Sequence, residues 1–380
     1  MCGFYDALVQ SCHMQSLPNT FPVTGLGEED ALCLVEGLCK NHSARLDAPI
    51  ALAHMDPPTP HIAHALAGLG ASLNQNLLHP DLSPFATKAE SRVLDWMCDA
   101  FGMAAGHMCG GSTLGNLEAI WAAREYGCTS VVASEEAHIS VPKAAHILGM
   151  RYDPRPVDRH GRIDLSSGIG ENVCLVLTAG TTGRGSIDTL FAKGLWTHVD
   201  AAWAGPLIFT RYANRLSGIH KADSVVVSAH KWLYQPKDSA LVMFKRKESL
   251  KTVSFGSSYL ASPNVGVQGS RSAAAVPLLG TLLAWGQTGL AQRIEDGMQM
   301  SEKLADWLNA KEGVECLQRP ESGVLNWRII GKDMERIISR LGPTTSMFRV
   351  NGEPWGRQVA ANPYADLEQV KQRIYTAIAA

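Results

Sequence analysis

Two short runs, each built on an apolar stretch, dominate the sequence. The first reads Val225-Val226-Val227-Ser228-Ala229-His230-Lys231-Trp232-Leu233, so that three β-branched residues precede a serine, a histidine and a lysine. The second lies upstream and reads Thr197-His198-Val199-Asp200-Ala201-Ala202-Trp203. Short β-branched runs of this kind favour strands that are buried on both faces. We therefore expect Lys231 to follow one buried strand and Asp200 to end another.

The chemistry of these two side chains indicates one cofactor. An amine in a partly apolar pocket condenses readily with an aldehyde, and apolar residues follow Lys231. A carboxylate such as that of Asp200 pairs with a protonated pyridine nitrogen and keeps the ring an effective electron sink. Taken singly, a solvated lysine and a strand-end turn residue are the commoner roles. Taken together, the two residues predict pyridoxal 5'-phosphate (PLP).

Composition and charge exclude several other classes of protein. The 380 residues are 46% hydrophobic and 18% charged, which is ordinary for a globular enzyme of about two domains. A net charge of −2 with scattered basic residues disfavours nucleic-acid and membrane partners. Nine cysteines, with no C-x-x-C pair, predict a reduced cytoplasmic protein without a disulfide framework or zinc site. We expect no signal peptide at residues 1–10 and no membrane span.

Short apolar strands alternate with helices from residue 102 to about residue 245. We predict strands at residues 131–133, 173–178, 197–200, 225–227 and 240–244, and helices at residues 113–126 and 141–148. This alternation is typical of an α/β domain with a mostly parallel sheet. The expected organisation is an N-terminal arm (1–52), a large PLP-binding domain (53–272), and a long helix with a small C-terminal α+β domain (273–380).

Further polar segments accompany the strand ends. Gly110-Gly111-Ser112-Thr113 precedes a helix, and such a turn suits a phosphate, although a simple glycine turn with an N-cap reads the same way. Ser228 and His230 are candidates to complete the phosphate site. His138 is a candidate to stack on the cofactor ring, or else a structural loop histidine. Gly180-Thr181-Thr182-Gly183 follows a strand, where ligands of open α/β sheets collect.

Three histidines raise the question of a metal site. His54, His61 and His64 are close in sequence, but Pro57, Pro58 and Pro60 break any helix that would align His54 with the other two. No matching set of acidic or cysteine ligands follows them. We expect no metal here.

Four motifs, in this order, resemble the PLP-dependent group II amino-acid decarboxylases. They are Gly110-Gly111-Ser112-Thr113, Ala137-His138, His198-Val199-Asp200-Ala201-Ala202 and His230-Lys231-Trp232. That family includes aromatic-amino-acid, histidine, glutamate and diaminobutyrate decarboxylases, and the resemblance runs from about residue 53 to the C-terminus. It implies the fold-type-I, PLP-dependent transferase-like architecture: a mostly parallel central sheet with helices on both faces, and a small C-terminal α+β domain.

The resemblance also implies site roles. Lys231 carries the cofactor as the internal aldimine, Asp200 pairs with the pyridinium nitrogen, and His138 stacks on the ring. Ala202 packs beneath the ring, and Thr182 lies near the substrate or the cofactor hydroxyl. The phosphate contacts implied are Ser112, Thr113, Ser228 and His230. The substrate-binding residues expected are Arg357, which is suited to a carboxylate, together with Tyr259 and His79.

The reaction implied is decarboxylation of an L-amino acid to its amine and CO2, through an external aldimine and a quinonoid. The assembly implied is a homodimer with the active site at the subunit interface. Two features depart from the family: Ala229 replaces a proline found in many members, and the segment 254–268 is short, with Tyr259 as its one tyrosine. Tyr259 is therefore the candidate proton donor of that loop.

Other functions remain to be weighed. A decarboxylation-coupled oxidative deaminase or aldehyde synthase stays open. Cysteine desulfurases and related lyases need a reactive loop cysteine, and no cysteine occurs between Cys174 and Cys316. An acyl-serine enzyme using Ser228 and Lys231 would also need Lys-Thr-Gly and Ser-Asp-Asn segments, which are absent from the sequence. A non-catalytic PLP-fold binding module is the alternative outside enzymology, and the presence of Lys231 and Asp200 argues against it.

Overall fold

The computed structural model describes residue 17 and residues 19–258, 260–261 and 263–379. The chain divides into two units, residues 1–45 and residues 46–380. In the described part of the first unit, helix α1 spans Glu28–His42, with three acidic residues in its first turn and Lys40 and His42 in its last. Charges placed this way complement the helix dipole.

A seven-stranded sheet forms the centre of the second unit. Its strands are β1 (Ala105–Cys109), β2 (Ser130–Ser134), β3 (Arg151–Arg155), β4 (Val173–Thr178), β5 (Trp196–Asp200), β6 (Ser224–Ser228) and β7 (Ala240–Phe244). The order across the sheet is β1-β7-β6-β5-β4-β2-β3. The strands from β6 to β3 are parallel, whereas β7 is antiparallel to both of its neighbours. The predicted mostly parallel α/β sheet is confirmed.

Two helices connect strands of this sheet: α4 (Ser112–Glu125) joins β1 to β2, and α5 (Ser140–Ile147) joins β2 to β3. Helices α2 (His61–Ser72) and α3 (Pro84–Phe101) precede β1. The short α6 (Lys247–Lys251) follows β7 and leads into a small hairpin of β8 (Ser254–Phe255) and β9 (Asn264–Val265). Helix α4 packs across β5, β6 and β7. This packing brings the first turn of α4 to the same edge of the sheet as the ends of β5 and β6.

Two strands of the sheet were not predicted, and both have unusual composition. Strand β1 reads Ala-Gly-His-Met-Cys, and Gly106 is required there because an added Cβ would lie 2.6 Å from the Val242 carbonyl oxygen. Strand β3 reads Arg-Tyr-Asp-Pro-Arg and lies at the edge of the sheet. Charged residues and proline are tolerated on an edge strand because one side has no neighbour to bond.

A long helix leads to a second, smaller sheet. Helix α7 spans Ala275–Asn309 and is interrupted at Gly286, where φ is 61° and ψ is 179°. The positive φ at the break is a conformation that glycine adopts without steric cost. Strands β10 (Val314–Cys316), β11 (Val324–Ile329), β12 (Ser346–Val350) and β13 (Glu353–Val359) form an antiparallel sheet in the order β10-β11-β13-β12. Helices α8 (Met334–Leu341) and α9 (Leu367–Ala379) share a core with this sheet.

Among the described residues, none forms a helix that combines the length and the apolar character needed to cross a membrane.

Candidate active site

The candidate site lies at the carboxyl ends of three parallel strands. Thr178 ends β4, Asp200 ends β5 and Ser228 ends β6, and Thr178 and Asp200 are direct partners in the sheet register. All three strands are fully buried, and each ends in a polar residue. The carboxyl edge of an open α/β sheet is where such folds bind ligands.

A small pocket at this edge gathers half of the twelve predicted site residues. Its walls consist of Ser112, His138, Thr178, Gly180, Thr182, Asp200, Ala202, Trp203 and Lys231. Six of the nine were predicted from sequence as site residues: Ser112, His138, Thr182, Asp200, Ala202 and Lys231. Lys231 and Asp200, which come from two different strand ends, therefore face one cavity.

Lys231 is presented on a tight turn after β6. Its N–H donates to the Ser228 carbonyl (3.3 Å), and its own carbonyl accepts from the Tyr234 N–H (2.9 Å). Tyr234 takes the left-handed backbone conformation, with φ of 60°. Trp232 anchors the turn because its side chain is completely buried and stacks on Trp203, with ring centroids 4.1 Å apart. The lysine is thus held by a rigid, apolar support.

The surroundings of Lys231 favour a reactive amine. Burial lowers the pKa of the Lys231 amine, and the negative charge of Asp200 acts in the opposite direction. An amine in this setting releases its proton more readily than a solvated lysine, as a nucleophile must. The departure at Ala229 also has a structural reason: its N–H donates to the Ser239 carbonyl (3.0 Å), a bond that proline cannot make.

Two N–H groups fix the orientation of the Asp200 carboxylate. The Ala202 backbone N–H donates to Oδ1 (3.1 Å), and Nδ2 of Asn116 donates to Oδ2 (2.9 Å). Asn116 was not predicted as a site residue. It lies four residues after Ser112 on α4, and residues with this spacing share one face of a helix. That spacing places Asn116 on the same helix face as Ser112, but it does not reveal that Asp200 is its partner.

His138 is held at the pocket wall by Ser140, another residue that was not predicted. Its Nδ1 lies 2.8 Å from the Ser140 hydroxyl and 3.2 Å from the Ser140 backbone nitrogen. Burial lowers the pKa of His138, while the charge of Asp200 acts against that effect. The ring is therefore a neutral imidazole near pH 7, which suits a flat contact with an aromatic ligand.

One end of the pocket carries the donors that a phosphate requires. Helix α4 begins at Ser112, directly after Gly111, whose φ of 118° is accessible mainly to glycine. An added Cβ at Gly111 would lie 3.7 Å from Cε1 of His230, so the histidine is close to this turn. Burial lowers the pKa of His230 to about 4. Thr113, the second residue of α4, is exposed and does not line the pocket.

An unpaired polar atom marks the same place. Nε2 of His230 lies 3.1 Å from the Ser228 hydroxyl, whereas its Nδ1 is buried and has no hydrogen-bond partner in the described part of the chain. A bound phosphate supplies such a partner, and the helix N-terminus adds backbone N–H groups. With the acid at Asp200 and the amine at Lys231, the residues present fit PLP.

Arg357 lies on β13 and contacts the loop after β4. Its Nε donates to the Thr182 carbonyl (2.7 Å), and its Nη1 donates to the Ala53 carbonyl (3.1 Å) and to the Ser346 hydroxyl (3.2 Å). Burial lowers the pKa of Arg357 to about 10. Within the described ranges, Nη2 has no hydrogen bond, and the negative charge of Asp56 acts on the guanidinium without a direct ion pair. One amino group is therefore left for an anion.

Arg357 does not line this pocket and reaches its wall only through the Thr182 carbonyl, and His79 does not line it either. His79 accepts a hydrogen bond from the Asp81 N–H (3.2 Å). Tyr259 lies outside the described residues. Sequence reasoning also missed Asp56, which pairs with Lys237 and whose charge acts on Lys231. No sequence signal connects Asp56 with Lys231, because only the fold brings together parts of the chain so far apart.

Comparison with known proteins agrees with the chemistry of this site. Residues 119–330 match the family described as the pyridoxal-dependent decarboxylase conserved domain. The L-2,4-diaminobutyrate decarboxylase of Rhizobium meliloti is 30% identical over 351 residues, which cover 81% of this chain and 70% of that protein. The aspartate 1-decarboxylase of Aliivibrio fischeri is 27% identical over 367 residues, covering 79% of this chain and 67% of that protein.

A solved structure shares the fold. The glutamate decarboxylase domain of a diaminobutyrate-pyruvate transaminase and L-2,4-diaminobutyrate decarboxylase from Vibrio parahaemolyticus superposes with a TM-score of 0.81. The match covers 99% of this chain and 90% of that one, at 20% sequence identity. The extent of the family match and the level of identity to the Rhizobium relative show that the chain belongs to the pyridoxal-dependent decarboxylase family.

Proposed function

We propose that this protein removes the α-carboxylate of an L-amino acid as CO2 and releases the corresponding amine, with Lys231, Asp200 and His138 as its catalytic residues. The observation that carries the proposal is the convergence of Lys231 and Asp200 on one pocket at the carboxyl edge of the sheet. An amine and an acid that face the same cavity suit the two ends of a pyridoxal ring system.

Each wall of the pocket has a task in this scheme. PLP, when bound, supplies the electron sink that accepts the bonding pair left behind when CO2 departs. Lys231 would hold the cofactor aldehyde, and its amine lies in the pocket, where it would be able to carry a proton. Asp200 keeps a proton on the pyridine nitrogen, since its carboxylate is oriented by Asn116 and Ala202.

The remaining cofactor contacts follow from the same geometry. Ala202 is small and buried, and therefore leaves space for a flat ring beside it. Ser112, Thr113, Ser228 and His230 are proposed to contact the phosphate, supported by the glycine turn and the first turn of α4. His138 covers the ring as a neutral imidazole.

Substrate orientation is assigned to Arg357 and Thr182. The free Nη2 of Arg357 suits a substrate carboxylate, and the Arg357–Thr182 hydrogen bond ties this group to the pocket wall. Because the guanidinium is largely buried, the carboxylate is held in a poorly hydrated place, where loss of CO2 is favoured. Tyr259 and His79 are kept as proposed substrate-side residues.

Assembly and location complete the proposal. We expect a cytoplasmic homodimer whose active site lies at the subunit interface, with small-molecule amino acids as its partners. Large apolar side chains that are exposed on the described surface support an interface, among them Leu69 of α2, Leu73 directly after α2, and Leu283 of α7. Sedimentation analysis of the purified protein tests this expectation: a dimer is predicted, and a monomer would contradict it.

The decisive test of the activity uses two lysine variants. The wild-type protein with PLP is given a panel of L-amino acids, including L-2,4-diaminobutyrate, L-aspartate and L-tryptophan, and CO2, amine mass and oxygen uptake are measured. Lys231→Ala is expected to lose both CO2 release and the Schiff-base absorbance. Lys221→Ala, which removes an exposed lysine packed over the Phe191 ring, is the control and should retain both. Retention of both signals by Lys231→Ala would reject the assignment of Lys231. If the wild-type protein instead forms an aldehyde and consumes oxygen, the reaction is a decarboxylation-coupled oxidative deamination and not a simple decarboxylation.

A further inference from the structure

A chain of buried hydrogen bonds runs behind the pocket and connects Asp200 with His138. Its inner members are Trp196, His198 and Ser224 on β5 and β6, Asn116 on α4 and Ser140 on α5, and each is at most 1% exposed. Solvent therefore does not compete for these hydrogen bonds, and each donor and acceptor must find its partner among the members of this hydrogen-bond network.

The direction of the chain is set at Asp200. A carboxylate only accepts hydrogen bonds, so the group of Asn116 that lies 2.9 Å from Oδ2 must be its NH2 group. The second hydrogen of that group is directed at the Ser140 hydroxyl, 2.8 Å away. The Asn116 carbonyl oxygen then accepts from Nε2 of His198 at 2.9 Å.

The far end of the chain agrees with this direction. With its proton on Nε2, His198 has a lone pair on Nδ1, which lies 2.9 Å from the Ser224 hydroxyl. The Ser224 oxygen accepts from the indole N–H of Trp196 (2.9 Å), so its own hydrogen is free to donate to His198. Every member of the chain is satisfied in one orientation.

The near end of the chain determines the state of His138. The Ser140 oxygen accepts from Asn116, so its hydrogen donates to Nδ1 of His138 (2.8 Å). The Ser140 backbone N–H is also directed at this nitrogen (3.2 Å). Nδ1 therefore carries the lone pair, and the single proton of the neutral ring is on Nε2.

We infer that Asn116 and Ser140 are positioning residues that orient the Asp200 carboxylate and fix His138 as its Nε2–H tautomer. This rests on the proposed function for its use, because the ring edge that His138 offers to a bound ligand is then a donor. The NH2 group of Asn116 donates both to Asp200 and to Ser140, so the orientation of the carboxylate and the tautomer of His138 are linked. His138 does not act as a base through Nε2 in this state.

The tautomer is measured directly by nitrogen NMR of the full-length protein labelled with 15N-histidine, first with PLP and then without it. The His138 signals are identified by their loss in His138→Gln. The wild-type protein is expected to show protonated Nε2 and unprotonated Nδ1 in both states. A wild-type spectrum with the proton on Nδ1 overturns the inference.

Two variants test the residues themselves. Ser140→Ala removes the hydroxyl donor. Asn116→Asp converts the donor group to an acceptor, so that the Ser140 hydrogen is drawn away from His138 although Ser140 is intact. In both variants the Nε2–H to Nδ1–H ratio is expected to fall roughly two- to tenfold, the factor set by one ordinary neutral hydrogen bond. The affinity of Asn116→Asp for PLP is expected to fall about tenfold or more, because a second carboxyl 2.9 Å from Asp200 shares a proton with it and weakens its negative charge.

The matched control is Ser130→Ala. Ser130 is as buried as Ser140, and its hydroxyl has no hydrogen-bond partner among the described residues. This variant should leave both the tautomer ratio and PLP affinity unchanged. An unchanged ratio in Ser140→Ala overturns the inference even if Asn116→Asp fails to fold. Because the tautomer is also read without PLP, failure of the proposed function and failure of this inference give different results.

Discussion

Gly185 provides a sharp test of how the pocket wall is held in place. It closes the turn that carries Thr182, with its N–H donating to the Thr181 carbonyl (2.8 Å). Its φ is 72°, and an added Cβ would lie 2.7 Å from Cβ of Val324 and 2.8 Å from Oγ of Ser322. Alanine at this position therefore meets two separate penalties.

The expected loss of stability can be worked out from these two terms. A side chain in the left-handed region costs about 1–2 kcal/mol, and inserting a methyl group into close packing costs about 1–3 kcal/mol. Gly185→Ala should thus lower the free energy of unfolding by about 2–5 kcal/mol. Gly313→Ala is the matched control, since Gly313 also has φ of 72° but no heavy atom within 4 Å of an added Cβ. It should lose only the first term.

The assay is urea unfolding of both variants and the wild-type protein, followed by tryptophan fluorescence. The difference between the two variants isolates the packing of the turn against β11. Gly185→Ala should also raise KM, because the displaced turn carries the Thr182 carbonyl that accepts from Arg357. If Gly185→Ala proves as stable as Gly313→Ala, the turn is not packed as described and the reasoning is refuted.

Two further predictions concern charge. Arg271 makes a two-pronged ion pair with Glu90 (2.5 and 2.8 Å), and Arg271→Met should lower the free energy of unfolding by about 3–5 kcal/mol because a buried carboxylate is left unpaired. Arg319→Met, which breaks the exposed pair with Asp306, should change it by about 0–1 kcal/mol in the same denaturation assay; equal losses would contradict the burial of Glu90. The second prediction is a fall in stability as pH drops from about 6.5 to about 4. Burial lowers the pKa of His230 to about 4 in the folded protein. Between these pH values the unfolded chain binds a proton at this histidine and the folded protein does not, so unfolding becomes more favourable as the pH falls. His230→Gln should flatten this decline in melting temperature, and an unaltered pH profile would count against it.

The central strands of the large sheet could be predicted from the sequence because they are short, mostly apolar runs. The segments 173–178 and 240–244 coincide with β4 and β7, since apolar runs buried on both faces are unambiguous. Edge strand β3 and the glycine-containing β1 were missed because their stability depends on neighbours rather than on their own composition. The proposed division at residues 52 and 272 stays a prediction.

In the candidate site, residues at or next to strand ends could be predicted from the sequence. Residues that orient these side chains through hydrogen bonds could not. Lys231 and Asp200 follow from the strands that carry them. Asn116 and Ser140 are ordinary helical residues whose importance arises from hydrogen bonds to side chains far away in sequence. Those partners are defined by how α4 and α5 pack on the sheet, which periodicity alone does not specify.

The central claim is that the amine of Lys231 holds the cofactor aldehyde. It is tested most directly by reducing the PLP-loaded protein with borohydride, digesting it, and locating the pyridoxyl group by mass spectrometry. We predict one modified peptide, with the group on Lys231. A pyridoxyl group on Lys237 or another lysine, or no modified peptide at all, would contradict the account.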